Sequence, residues 1–165
     1  MKGSAKINVF FKMANPIKEE YFIFSGSVLE AMVAPGTKTI TYEQLNALAH
    51  KVLPNQAKRV YQMMSSKITV RNGAGEVLKD PFAFGRVAIK NNITNWGSCS
   101  ELRNLNLNMH LVRLPEALMN YVIAHELCHL VYFDHSSKFH AIMNAVTNGK
   151  ERTLERALKK VTPNM

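Results

Sequence analysis

The sequence predicts an α+β fold in which a small mixed sheet packs on helices. Three observations support this class. Segments rich in β-branched and aromatic residues lie early in the chain, a strictly alternating segment follows near the middle, and helical hydrophobic spacing dominates the last third. A length of 165 residues suits one domain with its own core, and no repeat or long linker divides it. We expect a single domain over 1–165, with strands and helices in 1–83 and a motif-bearing half in 84–165.

Five segments are predicted to be strands because they are rich in β-branched and aromatic residues or alternate between apolar and polar residues. They are residues 6–13, 20–28, 67–71, 85–90 and 105–111. The last of them, Leu105–Leu111, has the strict period of two that is typical of a half-buried strand. Gly73 and Gly75 indicate a turn between the third and the fourth segment.

Helix signals in the first half begin with a capping box. Thr41 and Gln44 have the spacing that opens a helix, which we expect to continue to about Lys51. Pro54 is expected to interrupt it, because proline lacks the N–H that a helix interior needs, and a second helix is expected over 55–65.

Three helices are predicted in the second half. The first begins at Pro115 and runs to about Tyr132, and it should be buried because apolar residues cover nearly every face. Ser136 or Ser137 can cap the next helix, which has an apolar stripe at helical spacing. A charged helix over 150–160 closes the chain.

Composition excludes several classes of protein. With 47% apolar and 20% charged residues the chain is not disordered throughout, and two cysteines cannot form a disulfide scaffold. No apolar run approaches the roughly 18 residues of a membrane helix, and the first residues do not have the pattern of a signal peptide. We therefore expect a soluble, cytoplasmic protein with no membrane contact.

The net charge of +9 indicates a basic surface. Most of the excess of Lys and Arg lies in the middle of the chain, particularly over residues 51–90. These residues are scattered, and few aromatic residues alternate with them as stacking platforms for nucleic acid would. Two interpretations stay open: a solvated face, or weak contact with DNA or another polyanion.

The strongest chemical signal is His125-Glu126-Leu127-Cys128-His129, inside the helix that should be buried. Residues four apart share one face of a helix, so both imidazoles can reach one metal ion. Glu126 can turn toward a water molecule on that ion. The alternative is a pair of core histidines bonded to backbone, but two histidines and a glutamate are costly to bury without a partner. We therefore predict a metal site.

His135 is the candidate third ligand. It follows His129 by six residues, at a point where the helix should have ended, and a chain reversal there would return it to the metal. The alternative is a loop histidine in the cap of the next helix. Three neutral histidines would leave one position of a tetrahedral zinc open, which is typical of catalytic rather than structural sites.

Three more motifs occur around the histidine pair in a fixed order. Asn95-Trp96-Gly97-Ser98-Cys99-Ser100 and Leu105-Asn106-Leu107-Asn108 precede it, and Asp134-His135-Ser136 with Phe139 follows. In these motifs residues 84–146 resemble the YgjP-like metallopeptidase family. Asn95 departs from that family, which usually has arginine at this position. SprT-like and WLM proteases have a similar zinc-binding run but lack the Trp-Gly-Ser-Cys-Ser block.

The resemblance implies a minimal zincin-like fold and a zinc-dependent peptidase acting on proteins or peptides. It implies that His125, His129 and His135 bind Zn²⁺ and that Glu126 is catalytic. Zinc lowers the pKa of its water toward about 7, so that a neighbouring carboxylate can take the proton as general base. Zinc itself is inferred from the ligand type and number.

Trp96, Asn106 and Asn108 are candidate substrate-binding residues. In zincin-like folds a strand beside the zinc helix pairs with extended substrate, so Leu105–Leu111 is either that edge or an ordinary core strand. Trp96 is alternatively a core anchor, and Asn108 could instead support a metal ligand.

The residue that stabilises the oxyanion is not identified by spacing. Tyr132 is the candidate, with His110 and His140 as alternatives.

Two further functions stay open. The first is a SprT-like protease acting on DNA-bound proteins or, in a weaker form, a basic nucleic-acid-binding module with a structural metal. Phosphate contacts would make its affinity fall steeply with salt. The second is a metal-dependent hydrolase of a non-peptide amide, which the same four residues would serve.

Overall fold

The computed structural model describes residues 6–8 and 27–164. The described strands are β1 (Lys6–Asn8), β2 (Thr39–Thr41), β3 (Val87–Lys90), β4 (Gly97–Cys99) and β5 (Leu105–Asn108). The described α-helices are α1 (Val28–Met32), α2 (Tyr42–Lys67), α3 (Glu116–His129), α4 (Ser137–Val146) and α5 (Glu151–Lys159). A 3-10 helix, Met109–Arg113, joins β5 to the segment before α3. The predicted α+β class is confirmed.

Two small sheets organise the described strands. β1 pairs with β2 in antiparallel register, Ile7 opposite Ile40. The second sheet has the order β3-β5-β4, with β5 parallel to β3 and antiparallel to β4. This is the small mixed sheet that the sequence predicts, although β2 and β4 were not among the predicted strands. Each has only three residues, too few to give a hydrophobic period.

The alternating segment Leu105–Leu111 is a strand only as far as Asn108. There the Asn108 side chain accepts a hydrogen bond from the His110 backbone N–H at 2.9 Å and starts the 3-10 helix. β5 lies between β3 and β4, so the interpretation of this segment as a substrate-pairing edge is wrong and the core-strand interpretation is correct. The edges of this sheet are β3 and β4, one on each side of β5.

α2 is one continuous helix of 26 residues, so the predicted break at Pro54 is wrong. An interior proline costs about 3 kcal/mol. The helix buries one face along its whole length, and each large apolar side chain on it contributes about 1.5–3 kcal/mol. The stabilisation from burying that face therefore exceeds the cost of the proline. The buried residues of α2 are Leu45, Ala49, Leu53, Gln56, Ala57, Val60 and Met64. The predicted capping box of Thr41 and Gln44 is confirmed.

The strand predicted over residues 67–71 is absent from the structure. Residues 67–71 contain the end of α2 and a single bridge between Arg71 and Val77, with no strand. The turn predicted there is present, because the Asn72 side chain accepts hydrogen bonds from two following N–H groups and Gly75 has a φ of +80°.

The N-terminal strand predictions are described only in part. Residues 9–13 and 20–26 lie outside the described residues. At the end of the second predicted strand, Val28 is helical instead, because the Ser27 hydroxyl accepts a hydrogen bond from the Glu30 N–H and caps α1. Lys6–Asn8, in the first predicted strand, is β1.

α3 is the buried helix that the sequence predicts. Leu118, Ile123 and Cys128 are each 0% exposed, on different faces of the helix. α2 and α5 pack against it, and α4 covers its C-terminal end. Within the described ranges, no helix combines the length and the apolar composition needed to cross a membrane.

Candidate metal centre and active site

α3 places His125 and His129 one turn apart, with their side chains toward the same space. Their Nε2 atoms lie 3.1 Å from each other. The helix backbone fixes this separation, since residues four apart lie on one face. The helix ends at His129, and the Leu130 N–H closes it on the Leu127 carbonyl.

His135 is brought back to this pair by the chain reversal between α3 and α4. Its Nε2 atom lies 3.2 Å from that of His125, and one ring nitrogen from each of the three histidines falls within 4.8 Å of the others. The Ser136 side chain then caps α4 by accepting from the Phe139 N–H. Phe139 is 0% exposed, and its ring centroid lies 4.6–5.0 Å from those of all three imidazoles. A buried aromatic ring therefore holds the three rings together.

The Nε2 atoms of His125 and His129 are available as metal ligands. His129 Nδ1–H donates to the Tyr132 carbonyl at 3.0 Å, and since a carbonyl only accepts, Nε2 of the neutral ring carries the lone pair. His125 Nδ1 is buried without a hydrogen-bond partner among the described residues, which leaves Nε2 facing the other two rings. Zinc with Zn–N bonds near 2.0–2.1 Å spaces tetrahedral ligands about 3.3–3.4 Å apart. The distances of 3.1 and 3.2 Å from His125 Nε2 to the other two Nε2 atoms are close to this spacing.

Electrostatics keep the cluster neutral. Burial, with the neighbouring rings of His129 and His135, lowers the pKa of His125 to about 4. Burial also lowers the pKa of His129. A protonated imidazole cannot bind a metal, so both rings are in the ligand form at neutral pH.

Glu126 is a residue of α3, and its side chain lies against β4. Its side chain is 8% exposed, and burial raises its pKa to about 7. A Cβ on Gly97 would lie 3.2 Å from Glu126 Cγ and 3.3 Å from the Asn106 carbonyl oxygen, so a larger residue here would require these neighbours to shift by a few tenths of an ångström. This contact gives a physical reason for the glycine of the Trp-Gly-Ser-Cys-Ser block.

A cavity of about 340 Å³ adjoins the histidine cluster. His125, Glu126 and His135 form one side of it, and residues 94–97 and α5 form the others. A larger groove of about 760 Å³ lies between α1 and α2, but it shares no residue with the histidine cluster. The smaller cavity is the one next to the predicted chemistry.

The candidate substrate-binding residues lie around β4. Trp96 lines the 340 Å³ cavity and also a neighbouring one of about 500 Å³ that Asn106 lines. Asn108 is 1% exposed, and its amide donates to the carbonyls of Asn92 and Asn95 at 2.6 and 2.8 Å. Asn108 would therefore affect the substrate indirectly, by holding the loop that contains Asn92 and Asn95.

The oxyanion candidates are separate from the cavity. Tyr132 contacts the cluster through its backbone carbonyl, and its side chain is not among the residues that line the cavity. His140 Nδ1 lies 2.7 Å from the buried carboxylate of Glu151. His110 donates through Nε2 to Asn91 Oδ1 and accepts through Nδ1 from Arg113.

Neutral His110 makes the metal-free protein sensitive to acid. Burial, together with Arg113, lowers the pKa of His110 to about 4 from 6.5 in the unfolded chain. The neutral His110 ring therefore stabilises the folded protein fully above pH 6.5. This stabilisation is lost as the pH falls through 4. We expect the free energy of unfolding in urea to decrease over this range, by up to about 3 kcal/mol from this group.

The matched variant is His110→Gln, whose amide can keep a donor and an acceptor without titrating. Urea unfolding of both metal-free proteins at pH 7.5, 5.5 and 4.5 gives the comparison. A steeper loss in the wild type supports this origin, and equal pH dependence in the two proteins contradicts it.

Tyr121 and Glu155 are among the polar residues of the cavity wall that sequence reasoning missed. Tyr121 lies one turn before His125 on α3, so its spacing of four residues was a usable signal. Glu155 comes from α5, and no local pattern indicates that α5 packs against α3.

Comparison with known proteins identifies the family to which the chain belongs. No curated protein matches the chain significantly. A crystal structure of the metallopeptidase zymogen of Pyrococcus abyssi abylysin is similar, with a TM-score of 0.48, 19% sequence identity, and coverage of 67% of this chain and 95% of that chain. This likeness is too distant to carry a functional conclusion. The family model of the YgjP-like metallopeptidase domain matches residues 14–160. The chain therefore belongs to the YgjP-like family and is a metal-dependent peptidase domain.

Proposed function

We propose that this protein is a zinc-dependent peptidase in which His125, His129 and His135 hold the metal and Glu126 is the general base. One observation carries the proposal: three imidazole nitrogens converge within 4.8 Å beside a buried carboxylate. Among divalent ions, imidazole ligands at tetrahedral spacing favour zinc. Zinc, when bound there, would supply an acidified water molecule and a Lewis acid for the scissile carbonyl.

Glu126 moves the proton in this proposal. A general base works best when its pKa lies near the operating pH, and burial raises the pKa of Glu126 to about 7. Its carboxylate takes a proton from the attacking water and passes it to the departing amine. Because Glu126 lines the cavity beside His125, the transfer occurs where a peptide bond next to the histidine cluster would lie.

β4 is the proposed contact for the substrate backbone. Within the described part of the chain it is an edge of the three-stranded sheet, and it lies against Glu126 through Gly97. An extended peptide can add to such an edge by main-chain hydrogen bonds. Trp96, at the start of this strand, lines the cavities on both sides and is a proposed substrate contact.

Removal of the metal tests the zinc requirement. We expect dialysis against a chelator to abolish hydrolysis of a quenched fluorescent peptide mixture, and one equivalent of Zn²⁺ to restore it, because Glu126 alone cannot make water nucleophilic enough. Mg²⁺ serves as the control ion, since it prefers oxygen ligands. Full activity after chelation, with the metal content measured at zero, would contradict the proposal.

Contact with DNA and hydrolysis of non-peptide amides stay predictions. The exposed basic residues Lys51, Lys58 and Arg59 lie on α2 and do not line the cavity beside the histidines. Any nucleic-acid contact through them would therefore be separate from the proposed chemistry.

A further inference from the structure

The cavity beside the histidine cluster is lined by both apolar and polar residues. Val122 and Leu158, from α3 and α5, form part of the wall, and the Trp96 side chain adds to it. Such a wall can cover the methylene stem of a long side chain. Because Glu126 and His125 line the same cavity, a residue next to the scissile bond would place its side chain there.

Tyr121 is a polar residue of this cavity, and it is 4% exposed. A tyrosine hydroxyl can both donate and accept a hydrogen bond. A bound molecule with a polar group at its tip can therefore pair with it.

Glu155 is a carboxylate in the lining of this cavity. It lines the cavity together with Tyr121 and His125, and Lys159 lines it as well. Its ion-pair partner is Lys159, at 2.9 Å, whose side chain is 74% exposed. An exposed pair of this kind contributes about 0–1 kcal/mol, so another cation can displace the lysine at little cost.

We propose that this cavity is a specificity subsite that takes a lysine or arginine side chain of the substrate, with its positive group against Glu155 and the Tyr121 hydroxyl. This inference rests on the proposed peptidase function. Both groups can accept hydrogen bonds, which is what a guanidinium or ammonium group offers. Lys159 lines this cavity beside Glu155, so a substrate cation must displace Lys159 to reach the carboxylate.

Matched peptides test the charge requirement. Cleavage sites are first mapped by mass spectrometry in a quenched peptide library with the zinc-loaded protein. Peptides are then made that differ at one position next to the bond, with arginine, its neutral isostere citrulline, leucine or glutamate. We expect kcat/KM to be about tenfold higher for arginine than for citrulline, because a site built to pair a group rejects the analogue that lacks it.

The variants assign this preference to the subsite. Glu155→Gln should lower the ratio of arginine to citrulline to about one, and Tyr121→Phe should lower it in part. Lys159→Ala should raise it, because it removes the competing cation. Glu76→Gln is the matched control, since Glu76 is exposed and does not line the cavity. An unchanged ratio in Glu155→Gln, or a preference for leucine or glutamate in the wild type, would overturn the proposal.

Binding separates the subsite from the peptidase function. The same peptides are titrated calorimetrically into zinc-loaded Glu126→Gln and into its double variant with Glu155→Gln. Tighter binding of arginine that depends on Glu155 supports the subsite even if the wild type cleaves nothing, in which case only the peptidase proposal fails. Cleavage that needs zinc and Glu126 but has no preference for arginine overturns the subsite alone, and so does the absence of selective binding.

Discussion

Glu126→Gln is expected to bind zinc as the wild type does and to lose about 10²–10⁴-fold in kcat. Glu126 is not one of the three converging imidazoles, and it lies against β4 through Gly97. Glutamine has nearly the same shape, so the packing and the metal site should survive. Its amide cannot accept and release a proton, so the step that Glu126 performs should stop.

Elemental analysis and peptide hydrolysis together check this result. Glu101→Gln is the matched control, because Glu101 is exposed, does not line the cavity and undergoes the same chemical change. Urea unfolding of the metal-free variant shows whether it folds, and removal of a buried ionisable group should not lower its stability. A variant that retains both zinc and more than half of the wild-type kcat would show that Glu126 is not the base.

His129→Ala is expected to weaken zinc binding by at least about 100-fold and to abolish hydrolysis. The substitution removes one of three lone pairs, and the two that remain, His125 and His135, cannot complete the site. It also removes the hydrogen bond from Nδ1 to the Tyr132 carbonyl, which orients the loop that carries His135.

Competition with a zinc-binding dye gives the affinity of each variant. His50→Ala is the control, since His50 is exposed on α2 and its Nδ1–H donates to the Asn46 carbonyl, away from the histidine cluster. His135→Ala tests the third ligand in the same assay. Wild-type zinc affinity in His129→Ala would show that the metal binds elsewhere.

Local patterns were sufficient to predict the features that depend on one segment. The spacing of His125 and His129 needs only a helix, and the apolar composition of α3 predicts that it is buried. Ser136 predicts the start of α4 in the same way. For His135, the sequence indicated a chain reversal after α3. The distance of 3.2 Å between its Nε2 and that of His125 comes from the three-dimensional structure.

Features that depend on contacts between distant segments could not be predicted. Pro54 indicates a break, and only the burial of the opposite face of α2 explains why the helix continues. β4 has three residues and exists because it pairs with β5. Glu155 reaches the cavity because α5 packs on α3, and its own neighbours in sequence look like those of any charged surface helix.

The central claim is that His125, His129 and His135 together hold one catalytic metal ion. The most direct test is elemental analysis of the purified full-length protein, and of His135→Ala, after equilibration with a small excess of Zn²⁺ and dialysis. The account predicts about one zinc per wild-type chain and a large loss in the variant. A wild-type protein that retains no stoichiometric zinc, or a variant that retains as much as the wild type, would contradict it.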